Sequence, residues 1–250
     1  MILSSLKDYV HENALSRTVA DVRIGLCYTA VLLDNGAAGV AYTFRHDIPP
    51  GRTCCFQRAG PLAGKKAEEI TQHITSPDLL ERTMGIATAN ALININRDEF
   101  IEGDTLKQLK PGKDDVVGMV GYFGPIVPKL KAAVKELFIF EKVSGRSEEV
   151  YPEVKAFEML PSCTVAIITS TTLINGTLGK LLSASKNCKK VALVGASTPL
   201  AKEVFSSFGI DILSGAIITD PPAILQIVSE GGGMRSFKGL IRKVNLVCNT

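Results

Sequence analysis

The sequence predicts an α/β protein with a doubly wound, parallel sheet in its C-terminal part and a smaller α+β unit before it. Two observations predict this fold class. From Val116 onward, short apolar strands alternate with helical stretches across glycine-rich or hydroxyl-rich turns. Before residue 100, a hairpin pattern precedes longer helical patterns. Alternating strands and helices imply a parallel sheet that is covered on both faces, whereas a hairpin followed by helices implies a separate α+β unit.

The N-terminal unit begins with a helix and a hairpin. Apolar residues recur at helical spacing from Ile2 to Ala14, which predicts a short amphipathic helix. Asn35-Gly36 then separates two β-rich runs, and this pair favours the positive φ angles of a type I′ turn. Ser76 is expected to cap a helix that continues as "DLLERTMGIATANALIN".

Asn90 lies beside the apolar stripe of that second helix. A buried amide needs hydrogen-bond partners. Asn90 is therefore expected either to bond neighbouring backbone or to face a cleft shared with the next domain. Residues 95–115 then turn polar and contain Pro111-Gly112, which predicts a domain boundary. We divide the chain into a 1–100 domain and a 101–250 domain.

The C-terminal domain shows the strand and helix alternation of a Rossmann-like fold. The predicted strands are Val116–Val120, Leu137–Phe140, Val165–Ile168, Val191–Val194 and Ala216–Ile218. Ligands in such sheets bind beyond the carboxyl ends of the strands. Residues there are small, hydroxylated or acidic, from Gly121 after the first strand to Asp220 after the last. We predict that this rim binds a ligand, although helix capping is the alternative for each polar residue alone, as for Ser197 before Thr198-Pro199.

The stretch "VVGMVGYFGP" only partly matches a dinucleotide-binding turn. Gly121 and Gly124 fit the last two glycines of G-x-G-x-x-G, but Met119 stands where the first glycine belongs. Glu141 follows Gly121 by the usual interval for a ribose-binding acid, and Pro125 removes one N–H donor that a diphosphate uses. An NAD(P)-dependent dehydrogenase or an S-adenosylmethionine-dependent methyltransferase stays an alternative.

Composition argues against several classes of protein. Basic and acidic residues number 28 and 25, the formal net charge is +3, and aromatic residues make up 6% with no Trp, so nucleic-acid binding is not expected. No apolar run has the length of a membrane helix, and no leader sequence is recognisable, so we expect a cytoplasmic protein without membrane contact. The six cysteines are scattered, and we interpret Cys54-Cys55 as two ordinary thiols, with a soft-metal or redox pair as the alternative.

Several motifs together resemble a known family. "GLCYTAVLL", "AGPLAGKKAEEI", "GIATANALIN", "VVGMVGYFGPIVPKL", "FIFEK", "TSTTLINGTL" and "ALVGASTPL" are similar to segments of a prokaryotic family of uncharacterised function. Its members join a domain like the enolase N-terminal domain to a Rossmann-like domain named "putative heavy-metal chelation". The resemblance implies a site in the cleft between the domains, with a role in binding or making a small heavy-metal chelator.

The resemblance assigns residues to this site that coincide with the strand-end rim. They are Gly121, Tyr122, Phe123, Gly124, Glu141, Thr171, Thr172, Asn175, Thr177, Ser197 and Thr198, with Asn90 approaching from the first domain; the rim adds Asp220.

The donor types at the rim favour an organic ligand over a bare heavy-metal ion. Thiophilic metals prefer Cys and His donors, whereas Glu141 and Asp220 are hard oxygen donors, and His11, His46 and His73 all lie in the first domain. We expect a metal-chelating small molecule as the bound group, with a metal ion as the alternative. No catalytic constellation is recognisable, so a non-catalytic binding module stays open. A homodimer is expected as the commonest assembly of such domains.

Overall fold

The computed structural model describes residues 1–48, 56, 59–142 and 150–248. The pair Cys54-Cys55, interpreted above as ordinary thiols, lies outside these residues. The described chain forms a three-stranded sheet and an eight-stranded sheet with helices packed around both. The predicted fold class is confirmed: a smaller α+β part precedes a Rossmann-like sheet that is flanked by helices.

The described residues of the N-terminal part form three strands and three α-helices. Its elements are α1 (Ile2–Leu15), β1 (Val19–Ile24), β2 (Tyr28–Leu33), β3 (Ala38–Tyr42), α2 (Ala67–Thr71) and α3 (Leu79–Ile93). The strands form an antiparallel meander in the order β1-β2-β3. The predicted lead-in helix and hairpin are therefore present, and the first β-rich run splits into two strands.

The hairpin turn differs from the predicted type I′ turn. A type I′ turn needs positive φ angles at both central residues, but of the pair only Gly36 has one, at +83°. The Gly36 N–H donates to the Leu33 carbonyl at 3.0 Å, and Asn35 Oδ1 accepts from the Ala37 N–H. The connection is thus a three-residue loop with glycine in the left-handed position, the next most common way to close a hairpin.

The cap of α3 is Asp78 and not Ser76. Asp78 Oδ1 accepts from the N–H groups of Leu80 and Glu81 at 2.9 and 3.0 Å. Ser76 instead donates to the Glu81 carboxylate at 2.6 Å and accepts from the Asp78 N–H. The prediction failed because Pro77 separates two residues that are both good caps, and the helix begins after the second of them.

The C-terminal part contains the large sheet. Its elements are β4 (Ile101–Glu102), α4 (Leu106–Leu109), β5 (Val116–Val120), α5 (Val127–Ala133), β6 (Glu136–Glu141), β7 (Val150–Pro152), α6 (Ala156–Met159), β8 (Val165–Thr169), α7 (Thr171–Asn175), α8 (Leu178–Ala184), β9 (Lys190–Val194), α9 (Lys202–Phe205), β10 (Ile212–Ile218), α10 (Pro221–Ser229) and β11 (Ile241–Val247). In the described part of the chain, no helix is both long enough and apolar enough to cross a membrane.

The order of the large sheet is β4-β11-β10-β9-β8-β5-β6-β7. Strands β5 to β10 run parallel to their neighbours in this set, whereas β11 and β4 are antiparallel, so the sheet is mostly parallel. All five predicted strands are present. The sequence pattern missed β4, β7 and β11, because two of them are very short and β11 carries Arg242 and Lys243. The boundary between residues 100 and 101 stays a prediction.

Two of the three apolar cores in the described residues lie on opposite faces of the large sheet. Side chains alternate along each strand, so Val117 and Met119 pack with α4 and α5, while Val120 points into the other core. The second core contains residues of α6, α7, α8 and α9 and continues without interruption into α1, α2 and α3. One hydrophobic core therefore spans both parts of the chain.

Asp115 closes the amino end of β5. Its carboxylate accepts from Thr164 Oγ1 at 2.7 Å, from Lys189 Nζ at 2.8 Å and from the Gly112 N–H at 2.8 Å. Burial raises the pKa of this carboxyl group, but the three donors outweigh burial and hold the pKa at about 2. The Asp115 backbone carbonyl also accepts from the Lys135 N–H, so this residue links the start of β5 to the start of β6.

Asp115→Asn is expected to lower the free energy of unfolding by roughly 2 kcal/mol at neutral pH, since the folded pKa lies well below the unfolded one. The stabilisation is complete above the unfolded pKa, near 4, and is lost as the pH falls toward 2. Urea unfolding at neutral and at acid pH measures this difference. The exposed Asp114→Asn is the matched control, with little expected change. An equal loss in Asp115→Asn at both pH values contradicts the prediction.

Candidate functional site

The candidate site lies where β5 and β8 end side by side. The chain order of the parallel strands reverses between these two, and such a reversal opens the ligand-binding crevice of doubly wound sheets. Gly121 follows β5 directly, has a φ of +91°, and donates its N–H to the Phe140 carbonyl at 2.8 Å. A Cβ atom on Gly121 would lie 3.0 Å from Thr169 Cβ. The backbone thus requires glycine here, both for its φ angle and for space.

Hydroxyl groups line the end of β8. Thr169 Oγ1 and Thr171 Oγ1 lie 3.0 Å apart, and Thr172 Oγ1 donates to the Thr169 carbonyl at 2.6 Å. Ser170 is fully buried, and its Oγ has no hydrogen-bond partner among the described residues. We define the switch-point site as Gly121, Tyr122, Glu141, Thr169 and Thr171; of these, only Thr169 was not assigned to the site from the sequence.

Glu141 holds the turn after β5. Its carboxylate accepts from the Tyr122 N–H at 3.0 Å and from the Lys142 N–H at 2.8 Å. Helix α5 begins only at Val127, and its N-cap Ile126 makes no side-chain cap. The turn therefore differs from a dinucleotide-binding turn, in which a helix N-terminus directly follows the first glycines and faces the pyrophosphate.

Phe123 and Gly124 are the other two predicted site residues in this turn. Phe123 accepts the Ile126 N–H through its carbonyl and packs with the core around α5. Gly124 has no positive φ, and a Cβ atom there would lie at an ordinary 3.5 Å from the Tyr122 ring. Close packing thus does not require glycine at position 124, whereas it does at the third glycine of the dinucleotide-binding motif G-x-G-x-x-G.

The N-terminal part approaches the switch-point site through the segment after β3. Lys142 Nζ pairs with Asp47 at 2.7 and 2.9 Å and lies 5.6 Å from the centre of the Phe44 ring. Burial raises the pKa of the nearby Glu153; Lys142 opposes this rise, and Glu141 and Asp47 add to it. No local sequence pattern predicted the Asp47–Lys142 ion pair, because the two residues lie 95 positions apart in the chain.

Two predicted site residues, Asn90 and Ser197, form hydrogen bonds to the outer edge of β3, the edge that does not pair with β2. Asn90 Nδ2 donates to the Val40 carbonyl, and Ser197 Oγ accepts from the Tyr42 N–H, each at 2.9 Å. Asn90 is 1% exposed and Ser197 2%. Thr83 Oγ1 adds a third contact to this edge, at the Tyr42 carbonyl. Asn90 Nδ2 therefore bonds nearby backbone, but Asn90 Oδ1 has no hydrogen-bond partner among the described residues, so its other role, facing the cleft, stays a prediction. Ser197 is not a helix cap, since α9 begins only at Lys202.

Asn94, which the sequence did not single out, joins the two parts of the chain. Its Nδ2 donates to the Thr198 carbonyl at 2.9 Å, and its Oδ1 accepts from the Leu200 N–H at 2.9 Å. A longer contact of 3.4 Å reaches the Ala216 carbonyl. Thr198 is fully buried at this joint. Only its position at the end of the stretch "ANALIN" distinguished Asn94 in the sequence.

The remaining predicted residues serve local structure or lie apart. Thr172 is buried. Thr177 donates both its N–H and its hydroxyl to Asn175 Oδ1, at 3.0 and 2.7 Å. Asp220 caps α10 by accepting from the Ala223 N–H, and β9 separates its strand from β8. Ligand contact stays a prediction for every residue assigned to the site.

The described residues do not fit a resident metal ion. Within them, no group of three or more His, Cys, Asp or Glu side chains is placed to hold one. Burial raises the pKa of the Cys163 thiol to about 12 and of the Cys188 thiol to about 11, which disfavours the thiolate that soft metals require. Near the switch-point site, the Lys142 ammonium stands among the carboxylates and repels a cation.

Gly121→Ala is expected to destabilise the protein more than Gly36→Ala. Both positions have similar positive φ angles, so each substitution costs about 1 kcal/mol or slightly more in backbone strain. A Cβ atom on Gly36 meets nothing within 4 Å, whereas one on Gly121 meets Thr169, which adds about 1–3 kcal/mol of overpacking. Denaturant unfolding of both variants measures the difference; equal losses contradict a close approach of Gly121 to β8.

Asn94→Leu is expected to cost more stability than Asn90→Leu. The first change leaves the Thr198 carbonyl and the Leu200 N–H without their partner, and each orphaned buried group costs about 1–3 kcal/mol. The second leaves only the Val40 carbonyl. Chemical unfolding of the two variants tests this order. A larger loss in Asn90→Leu would show that the joint between the parts does not depend on Asn94.

Comparison with known proteins places the chain in a family. A model of the family DUF364, described as "Putative heavy-metal chelation", matches residues 104–247, and a model of DUF4213, with the same description, matches residues 7–93. An uncharacterized protein of Methanocaldococcus jannaschii is 28% identical over 98% of each chain.

Solved structures agree with this assignment at the level of fold. A DUF364 protein of unknown function from Pyrococcus horikoshii superposes with a TM-score of 0.86 and 24% identity, over 99% of this chain and 100% of its own. Another, from Desulfitobacterium hafniense, gives a TM-score of 0.83 and 24% identity, over 98% and 97%. Since the first family model covers more than half of the chain, the protein belongs to the DUF364 family, described as "Putative heavy-metal chelation".

Proposed function

We propose that the protein binds a small organic ligand, of a kind that can chelate a heavy-metal ion, at the switch-point site. The reversal of strand order between β5 and β8 is the observation that carries this proposal, because ligands of doubly wound sheets bind at such a reversal. Gly121, with its positive φ, packs directly against Thr169 and so brings the two strand ends together there. The family description supports the chelator class of the ligand.

The polar groups of the site suit an uncharged or weakly charged polar ligand. Thr169 and Thr171 share one hydrogen bond between their hydroxyls, so one donor and several acceptor sites are left for a ligand. Glu141 has a lone pair left on each oxygen after accepting the two backbone N–H groups. From the N-terminal part, Asp47 pairs with Lys142, the residue after Glu141, and the Phe44 ring lies 5.6 Å from the same ammonium group.

The metal in this proposal is cargo, carried by the ligand's own donor atoms. The described residues contain no ready set of metal ligands, and the hydroxyl and carboxylate oxygens at the switch point are hard donors. The protein would therefore recognise the organic frame of a chelator. In this proposal its two parts hold that frame between them, and the Asp47–Lys142 pair links the parts next to Glu141.

A nucleotide-cofactor enzyme is the second candidate function. The parallel strands follow the order of dinucleotide-binding sheets, with β5 and β8 at the reversal. Against this reading, Glu141 is bonded to the turn itself, and α5 starts away from Gly121. Reaction chemistry is not part of the first proposal, which holds equally for a binding protein without catalysis.

Calorimetric titration separates these candidates. Wild-type protein is titrated with Zn²⁺, with Ni²⁺, with a pterin chelator free and loaded with each ion, and with NAD and S-adenosylmethionine. The chelator is expected to bind with or without metal, whereas the bare ions are not. Binding of NAD or S-adenosylmethionine alone would replace the first proposal by the second, and no binding of any chelator would remove its support.

Thr171→Val tests the location of the bound chelator. Loss of one hydroxyl hydrogen bond is expected to weaken binding about fivefold. Thr219→Val is the matched control, because Thr219 follows β10 and lies outside the switch-point site. Its affinity is expected to equal that of the wild type. Unchanged affinity in Thr171→Val, with the chelator bound, would move the site elsewhere.

A further inference from the structure

A pocket of about 400 Å³ opens beside β11, near the edge of the large sheet. We call it the basic pocket; it is lined by Met234, Arg235, Lys238, Gly239, Ile241 and Lys243. β9 and β10 separate β11 from β8, so this pocket is distinct from the switch-point site.

Three cations line the basic pocket without an acid among its lining residues. Arg235, Lys238 and Lys243 are all exposed, and within the described part of the chain none of them has an ion-pair partner. The neighbouring cation Arg242, by contrast, pairs with Glu102 at 2.9 Å. The positive charge of the pocket is therefore left for an external anion.

The segment that carries two of these cations is fixed in place. Phe237 is fully buried and packs edge-on against the Tyr28 ring at 5.2 Å. The Ser236 N–H donates to the Gly233 carbonyl at 2.8 Å, and the Thr219 N–H to the Leu240 carbonyl at 2.9 Å. Ser236 and Phe237, which are fixed by a backbone hydrogen bond and by burial, thus lie between the exposed Arg235 and Lys238. A fixed backbone lowers the entropy lost when such side chains bind a ligand.

We infer that the basic pocket is a binding site for a small organic anion with at least two negative charges on an apolar frame. Arg235 presents a planar fork of donors that matches a carboxylate or a phosphate, and the two lysines add point charges. Met234 and Ile241 supply apolar contact for the frame, and Met adapts readily to different shapes. The volume suits a ligand of ordinary metabolite size.

Two aromatic probes distinguish the possible acid groups. Benzene-1,3,5-tricarboxylate and phenyl phosphate are titrated calorimetrically, with benzoate as the monoanion reference. At least one multiply charged probe is expected to bind more tightly than benzoate, with an affinity that falls as salt rises. The better probe identifies carboxylate or phosphate as the preferred group. Binding of neither probe, or equal binding of benzoate, overturns the inference.

Substitutions place the anion in the basic pocket. Arg235→Gln is expected to weaken binding about tenfold, as the loss of a charge-assisted contact implies, and Arg235→Lys less, because the charge stays. Lys180→Gln is the matched control, an exposed lysine on α8 away from the pocket, and is expected to bind as the wild type does. Equal affinity in Arg235→Gln and Lys180→Gln overturns the inference. Thr171→Val should leave this binding unchanged, which separates it from the switch-point site.

Discussion

The hydrogen bonds of the Asn94 side chain are the interaction on which the arrangement of the two parts depends. Asn94 ends α3 and fixes the loop after β9 through the Thr198 carbonyl and the Leu200 N–H. Helix α3 in turn carries Asn90, which holds β3, and β3 leads into Phe44 and Asp47. The position of Asp47 beside Lys142 therefore depends on contacts that lie far from it in sequence.

The hydrophobic core that spans both parts of the chain holds them together where they are in contact. Residues of α1 and α3 belong to the same buried cluster as residues of α7, α8 and α9. Separating the parts would expose apolar surface and, at the same time, leave the partners of Asn94 unsatisfied. Arg82 reinforces the contact by donating to the Ile174 carbonyl at the end of α7, at 2.7 Å. Ligand binding at the switch point is thus expected to meet a largely preformed site.

The features that could be predicted are those that depend on the local sequence alone. The strands β5, β6, β8, β9 and β10 are apolar runs bounded by turn residues, so pattern alone located them and hence the strand ends. The choice among polar residues at those ends depended on distant partners. Ser197 bonds Tyr42 across 155 positions, and Asn94 bonds Thr198 across 104. A serine at a strand end looks the same in sequence whether it meets a ligand or an edge strand, and only the fold decides between them.

The closed edge of β3 has a consequence for behaviour in solution. Exposed strand edges offer N–H and C=O groups on which another chain can add a strand, a common start of aggregation. Here side chains of Thr83, Asn90 and Ser197 occupy that edge of the small sheet, and nothing can add there without displacing them. The opposite edge, β1, carries the charged pair Asp21 and Arg23 and bridges at Thr18 to Lys66. The small sheet is thereby protected from growing into a fibre.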